Sequence, residues 1–228
     1  MTTAEGWTAA VRERLAPGRL LPLGTAGDGT WITERAVRGA LGPAAAAVRG
    51  VVPGRIRVGP DLEAENEGAA GAEPFPVPPG ALGPGLLRIT ADFGAVAGRP
   101  LPELAEELRA ALLGAARDGL GLLVTAVDLR VTELLDLGPE AGQDAPPPGR
   151  PAPATDDPVA LAVLRVEGVA GVTDTWGPPV HRGPEGMRVE LAVTAGHRPL
   201  DVARAARNAA TAAADGATAV TVLVSELR

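Results

Sequence analysis

The two histidines are the side chains of this sequence best suited to acid–base chemistry or metal binding. His181 lies among Pro and Gly residues that predict an exposed hairpin, and His197 lies just before a predicted helix. Because the sequence contains no Cys, a metal at either imidazole would depend on carboxylates such as Glu185 or Glu190. Loop histidines are commonly just exposed, so we predict neither a metal site nor a catalytic histidine.

The usual covalent nucleophiles are nearly absent from the sequence. It contains no Lys, no Tyr and no Cys, and its single serine is Ser225. A Walker-type phosphate loop and a Schiff base both need lysine, and a serine or cysteine triad needs a nucleophile beside a histidine. Glu106 and Glu107 are adjacent in sequence and do not share a helical face, which favours solvated charge over acid–base work. We therefore expect a non-enzymatic protein without a cofactor.

A glycine motif suggests a second chemistry, which is contact with a nucleic-acid backbone. The segment Gly168–Gly171 has the GxxG spacing of the loop with which KH domains clamp that backbone. The arginines that would bind phosphates are Arg55, Arg57, Arg165 and Arg188. However, 30 glycines make chance matches easy, aromatic residues form 2% of the chain, and the net charge is −7. Nucleic-acid binding is therefore the alternative hypothesis.

An amphipathic helix is predicted near the start of the sequence. Trp7 with Arg12 and Arg14 combines an aromatic residue with basic flanks, which is typical of a helix on a membrane surface. Glu13 and a narrow apolar face favour packing on the first domain instead. No apolar stretch reaches the roughly 20 residues that span a bilayer, and the start lacks the pattern of a signal peptide. We expect a cytoplasmic protein without a transmembrane segment.

One short pattern occurs twice along the chain. Arg-Pro-Leu at Arg99–Leu101 is followed by Val-Thr-Glu-Leu at Val131–Leu134. Arg-Pro-Leu at Arg198–Leu200 is followed by Val-Ser-Glu-Leu at Val224–Leu227. Proline suits the start of a helix, and the second motif closes an apolar run that predicts a strand. The repeat therefore marks the entrance of a helix and the exit of a strand in each copy.

Alternating apolar and polar residues precede each Arg-Pro-Leu and predict a further strand. In an alignment of these two runs Arg88 and Arg188 take the same place. At one outward position of the final strands, the first copy has Arg130 and the second has Leu223. The leucine indicates a covered face, within the chain or between chains, unless it is a stray surface residue. These four residues are the candidate interface.

Each copy is predicted to follow the order helix, strand, strand, helix, strand. In the first copy these are a helix from Glu34 with a kink or a division into two short helices at Gly42-Pro43, strands 55–58 and 86–93, a helix from 100 to about 119 and a strand 123–132. In the second they are 158–167, 169–176, 186–194, 199–214 and 217–226. The pattern predicts an α+β fold of two tandem α-β-β-α-β units. Each unit is expected to be a small three-stranded mixed sheet with helices on one face.

Acidic, proline-rich segments divide the chain. Residues 61–85 carry five carboxylates and no arginine, and residues 136–157 carry five carboxylates and one arginine. Dense proline and glycine disfavour helix and strand interiors. We predict an N-terminal domain at 1–135 with a long acidic loop at 60–85, a linker at 136–157 and a second, shorter domain at 158–228.

The first unit resembles the alkaline-shock, or envelope stress response, protein family of Gram-positive bacteria. The resembling segments are Ile32–Val37, Val48–Gly54, Leu101–Leu108 and Val127–Leu134, with Val166–Val172 in a more divergent second copy. The chain departs from the single-domain form by its duplication and long acidic loop, and it lacks a basic tail. The resemblance implies a non-enzymatic cytoplasmic protein that reaches the inner membrane face through partners and supports envelope homeostasis.

Three hypotheses of function follow. The first is a scaffold or binding protein that acts through protein–protein association or self-association at the cytoplasmic side of the cell envelope, peripheral to the membrane. The second is a KH-like nucleic-acid-binding module. The third is an enzyme with an acid–base or bound-cofactor mechanism, for which the sequence offers no named catalytic residue.

Overall fold

Two β-sheets and four α-helices make up the described part of the chain. The computed structural model describes residues 18–64, 75–136, 151–214 and 219–228. The predicted helix with Trp7, Arg12 and Arg14 lies outside these residues, so its membrane-surface role stays a prediction. The α+β class predicted from the sequence is confirmed.

The helices and strands follow the predicted order with three additional strands. In chain order they are β1 (Leu20–Pro22), a 3₁₀ turn (Ala26–Asp28), β2 (Thr30–Thr33), α1 (Glu34–Ala46), β3 (Val51–Pro60), β4 (Leu87–Val96), α2 (Leu101–Gly114), a π-helical turn (Ala115–Leu120), β5 (Val124–Leu135), α3 (Pro158–Val163), β6 (Val169–Val172), β7 (Val180–Gly183), β8 (Gly186–Val193), α4 (Pro199–Ala213) and β9 (Val220–Leu227). Strands β1, β2 and β7 were not predicted, because three or four residues are too few for a recognisable alternation.

The smaller sheet has the order β3-β4-β5. Strands β3 and β4 are antiparallel, and β4 and β5 are parallel. Alternate residues of each strand point to the core, among them the buried Val58, Ile89 and Val127. This sheet has the three strands predicted for the first unit.

The larger sheet has six strands where three were predicted for the second unit. Its order is β1-β2-β9-β8-β6, with β7 also paired to β8. Strands β6 and β8 are antiparallel and β8 and β9 parallel, the same pairing as in the smaller sheet. The additional β2 pairs parallel to β9, and β1 pairs antiparallel to β2. The predicted first domain therefore supplies two strands of this sheet.

One hydrophobic core joins both sheets and the helices between them. Its buried members include Ile89 of the smaller sheet, Val222 of the larger sheet, Leu108 of α2 and Ala206 of α4. The predicted domains at 1–135 and 158–228 thus contribute to the same core. The predicted linker at 136–157 falls mostly outside the described residues and stays a prediction.

Helix α1 begins where the sequence predicts. The hydroxyl of Thr33 accepts a hydrogen bond from the Ala36 N–H at 3.2 Å and caps the helix. Gly42-Pro43 does not divide it into two short helices, because the helix runs on to Ala46 as one element. Pro43 lies in the last turn, where its missing N–H leaves only one carbonyl of the preceding turn without its helical donor.

Candidate interaction surface

The repeated Val-Thr/Ser-Glu-Leu motif marks a β-bulge in each sheet. The β4–β5 register shifts just after Phe93, and the β8–β9 register shifts just after Leu191. At the first bulge the Thr132 hydroxyl donates to the Phe93 carbonyl at 3.3 Å. At the second, the Ser225 hydroxyl donates to the Leu191 carbonyl at 3.3 Å. The hydroxyl residue of the motif therefore supplies a hydrogen bond where the bulge interrupts the ladder.

The bulges show that Arg88 and Arg188 are not equivalent. Phe93 and Leu191 each lie just before the bulge and are therefore the equivalent residues of the two copies. The predicted alignment, which matches Arg88 with Arg188, is displaced from this equivalence by two residues. Accordingly Arg88 lies opposite Ala126 in its sheet, and Arg188 lies opposite Thr221. The predicted alignment of the two arginines is wrong, because alternation fixes which face a residue takes but not its register.

The outward face of the smaller sheet is polar and largely exposed, and we call it the open face. Its residues are Arg57, Arg88, Thr90, Asp92, Asp128 and Arg130. Arg130 is 72% exposed and pairs with Asp92 through bonds of 3.0 and 3.3 Å. Such a surface pair adds little to stability, at most about 1 kcal/mol, so Arg130 is available to a partner, while the Asp92 side chain is only 20% exposed.

Arg88 anchors the start of the acidic loop to the open face. Its guanidinium lies 3.1 Å from Asp61, 2.5 Å from Glu63 and 3.1 Å from Asp128. Hydrogen bonds from the Thr125 hydroxyl, the Glu63 N–H and Arg88 hold the pKa of Asp61 below its ordinary value. Arg88, a candidate interface residue, is thus already held by three carboxylates.

Strand β3 carries two exposed arginines, Arg55 and Arg57. Their side chains make no hydrogen bond or ion pair with any residue that the structure describes. Arg57 lies opposite Thr90, on the outer strand of the open face. No carboxylate among the described residues therefore compensates the positive charge on the β3 side of this face.

The corresponding face of the larger sheet is covered by the chain itself, and we call it the covered face. Leu223 is 0% exposed and forms an apolar cluster with Leu20 and Trp31. Phe75, Ala81 and Trp176 pack over this cluster. Leu223 therefore lies on a face that is covered within the chain, which is one of the two alternatives that the sequence leaves open. The cover comes from parts of the chain far away in sequence, which the pattern of β9 does not reveal.

A buried glutamate holds one part of that cover. Glu190 of β8 is 0% exposed, and its carboxylate accepts hydrogen bonds from the Thr173 hydroxyl and from the N–H groups of Thr175 and Trp176, all at 2.9 Å. Arg188 donates to the Trp176 carbonyl at 3.0 Å. Arg188 therefore holds the Thr175–Trp176 segment on the sheet together with Glu190, and this is its role among the described residues.

A second buried carboxylate ties the β1–β2 connection to α4. Asp28 accepts bonds from Arg204 at 2.7 and 3.0 Å and from the Thr25 N–H at 2.7 Å. Burial raises the pKa of Asp28, but the bonds from Arg204 and Thr25 outweigh it and hold the pKa below its ordinary value. Arg207 of the same helix donates to the Asp28 carbonyl and stacks 5.0 Å from the ring centre of Phe75. Sequence reasoning missed this anchor, because its partners are far apart along the chain.

Strand β5 has one unpaired edge within the described residues, and we call it the free edge. Near its start, the Arg117 side chain donates to the Val124 carbonyl at 2.7 Å and the Arg109 side chain donates to the Val127 carbonyl at 3.3 Å. No described side chain caps the later part. There Val131 is 39% exposed and Leu134 is 74% exposed. The free edge is thus partly protected and partly open.

Within the described residues, the other chemistries considered from the sequence are not brought together. His181 and His197 are exposed, and the described residues contain no cluster of three ligands suited to a metal. The Gly168–Gly171 motif forms a turn into β6, with Gly168 at φ +84°, and so is not an open loop. Of its proposed arginines, Arg57 and Arg188 lie on different sheets. A cavity of about 380 Å³ beside the covered face is lined by residues 174–177.

Comparison of the chain with protein-family models, with curated proteins and with solved structures finds no match. None of the helices within the described ranges is both long and apolar enough to cross a membrane. The resemblance to the alkaline-shock family therefore rests on the sequence segments alone.

Proposed function

We propose that the chain is a scaffold or binding protein of the envelope-stress-response type that acts by associating with proteins at the cytoplasmic side of the cell envelope. The observation that carries this proposal is the contrast between the two sheets. The outward face of the larger sheet is filled by Phe75, Ala81 and Trp176, whereas the open face of the smaller sheet is exposed along all three strands. A polar sheet face presented to solvent is a surface that a protein partner can cover.

The charges of the open face favour a protein partner over a uniformly charged polymer. The face combines the exposed Arg57 with the Arg130–Asp92 pair and with Asp128. A surface of both signs selects a partner by complementary charges and suppresses wrong partners. Proteins present such mixed surfaces, while a nucleic-acid backbone presents negative charge alone.

A charge reversal on the open face tests this function. We expect Arg57→Glu to lose the envelope proteins that the full-length parent recovers from native cells, identified by mass spectrometry. Arg38→Glu is the matched control, because Arg38 is also exposed, lies on α1, and is unpaired within the described residues. Recovery of the same envelope proteins by Arg57→Glu as by the parent would contradict the proposal.

Nucleic-acid binding is the second candidate, favoured by one specific observation. Arg55 and Arg57 lie two residues apart on β3 without carboxylate partners among the described residues. Phosphate contacts would make binding to RNA fall steeply with salt. Salt-dependent retention on RNA that is lost in Arg55→Ala/Arg57→Ala would support this candidate, and no retention at low salt would exclude it.

A further inference from the structure

We propose that the free edge of β5 pairs antiparallel with the β5 edge of a second copy of this chain, centred on Leu129. The two smaller sheets then form one continuous sheet of six strands. The pairing rests on the proposed function only for its biological purpose, since a paired scaffold would present two open faces side by side. The pairing itself depends on the features of β5.

The free edge has the hydrogen-bonding groups that such pairing requires. The carbonyls of Val124 and Val127 face this edge, since both accept bonds from helix α2 or the turn after it. They share the edge although they are three residues apart, because the β4–β5 register shifts between Val124 and Ala126. N–H and C=O groups alternate between the two edges of a strand, so Leu129 and Val131 direct theirs to the same edge as Val127. An unpaired row of this kind is a template for another strand.

The later part of the strand carries apolar surface that pairing would cover. Val131 is 39% exposed and Leu134 is 74% exposed, whereas the earlier valines of the same strand, Val124 and Val127, are buried. In an antiparallel pair centred on Leu129, Val131 of each copy lies opposite Val127 of the other. Two such cross-strand contacts between β-branched residues stabilise an antiparallel ladder.

Charge complementarity selects the second copy as the occupant and Leu129 as the centre. In this register Asp128 of each copy lies opposite Arg130 of the other, on the same face of the sheet. Opposite charges then meet twice across the two-fold axis. A centre one residue earlier would oppose Asp128 to Asp128, and one residue later would oppose Arg130 to Arg130. Both alternatives place like charges in contact.

The capping arginines restrict pairing at the start of this edge. Arg109 and Arg117 occupy carbonyls at the start of the free edge. Charged side chains at an edge are a common protection against indiscriminate pairing. A carbonyl has two lone pairs, so the Val127 oxygen can accept a bond from the partner strand while Arg109 remains near it. The pairing is therefore expected to be reversible.

The test is sedimentation velocity of the full chain and of two single variants, measured alone and mixed. Asp128→Arg gives a copy with two positive residues, and Arg130→Asp gives one with two negative residues. Each variant alone is expected to self-associate at least about tenfold more weakly than the parent, because like charges oppose across the axis. Their equimolar mixture is expected to form a dimer again, since opposite charges then meet in the mixed pair.

The control for these charge changes is a substitution away from the free edge. Arg57→Asp makes the same charge change on the open face away from β5 and is expected to self-associate like the parent. A parent that stays monomeric up to about 1 mM, a mixture as weakly associated as its components, or an equal loss in Arg57→Asp would each overturn the pairing. A monomeric parent that still binds envelope proteins would leave the proposed function standing. A dimeric parent that binds none would contradict the function but not the pairing.

Discussion

Two corresponding acidic residues have opposite roles in the two sheets. Once the bulges are aligned, Asp92 of β4 corresponds to Glu190 of β8. Asp92 faces solvent and pairs with Arg130, whereas Glu190 lies beside Leu223 under the Thr175–Trp176 turn. The smaller sheet therefore has Arg130 on an open face, and the larger sheet has Leu223 at the equivalent position on a covered face.

A pair of amide substitutions tests this difference. In Glu190→Gln, one carboxylate oxygen becomes an NH₂ group that faces a donor N–H of Thr175 or Trp176. We expect this to lower the free energy of unfolding by about 1 to 3 kcal/mol, since a buried donor loses its acceptor. Asp92→Asn is the control and should cost less than about 1 kcal/mol, because its ion pair is exposed. Urea unfolding of both variants measures the contrast, and equal losses would argue against it.

Asp28 predicts a pH dependence of stability. Its folded pKa lies below the ordinary value of 3.8, so its contribution is present above that value and is lost as pH falls through the folded pKa. In Asp28→Asn this contribution is absent at every pH. The difference in unfolding free energy between parent and variant should therefore be constant near neutral pH and shrink in acid. A difference that grows as pH falls below 4 would contradict the assignment.

At the scale of elements, the long periodic segments could be predicted and the short ones could not. Thr33 as a helix cap and Pro100 before α2 are local signals, and both lie where the sequence places them. Strands β1 and β2 depend on β9, which lies at the other end of the chain. The cover of Leu223 depends on Phe75 and Trp176 in the same way. Local pattern does not contain such long-range contacts.

The turn after α2 gives a test at this scale. Gly121 has φ +92°, and a Cβ there would overlap the Leu200 side chain, 2.7 Å from its Cδ2. Gly98 has φ +105° and nothing within 4 Å of a Cβ. We expect Gly98→Ala to cost about 1 kcal/mol from backbone strain alone. Gly121→Ala should cost clearly more, because α4 packs on this turn. Equal thermal shifts in the two variants would contradict this packing.

At the scale of the whole molecule, the repeat does not produce two independent units. The N-terminal β2 lies inside the C-terminal sheet, and the core is shared by both sheets. The three repeated strands pair in the same way in both sheets, with one antiparallel and one parallel pair. The sequence repeat indicates this shared pairing. How the units join depends on β1 and β2, which belong to neither copy of the repeat.

A shared core predicts one cooperative unfolding transition. Calorimetry of the full chain should give one peak, with the calorimetric and van't Hoff enthalpies equal. Intrinsic tryptophan fluorescence should change at the same temperature, since Trp31 is buried in the larger sheet. Two separate peaks would mean that the halves unfold independently, contrary to the single core.

Amide hydrogen exchange of the full chain, with and without the envelope fraction of native cells, shows which sheet meets the partner. We expect added protection in β3 and β5, the strands of the open face and free edge, and no change in β8 and β9 beneath the covered face. Added protection confined to β8 and β9, or none in β3 and β5, would contradict the claim that the chain acts through its smaller sheet.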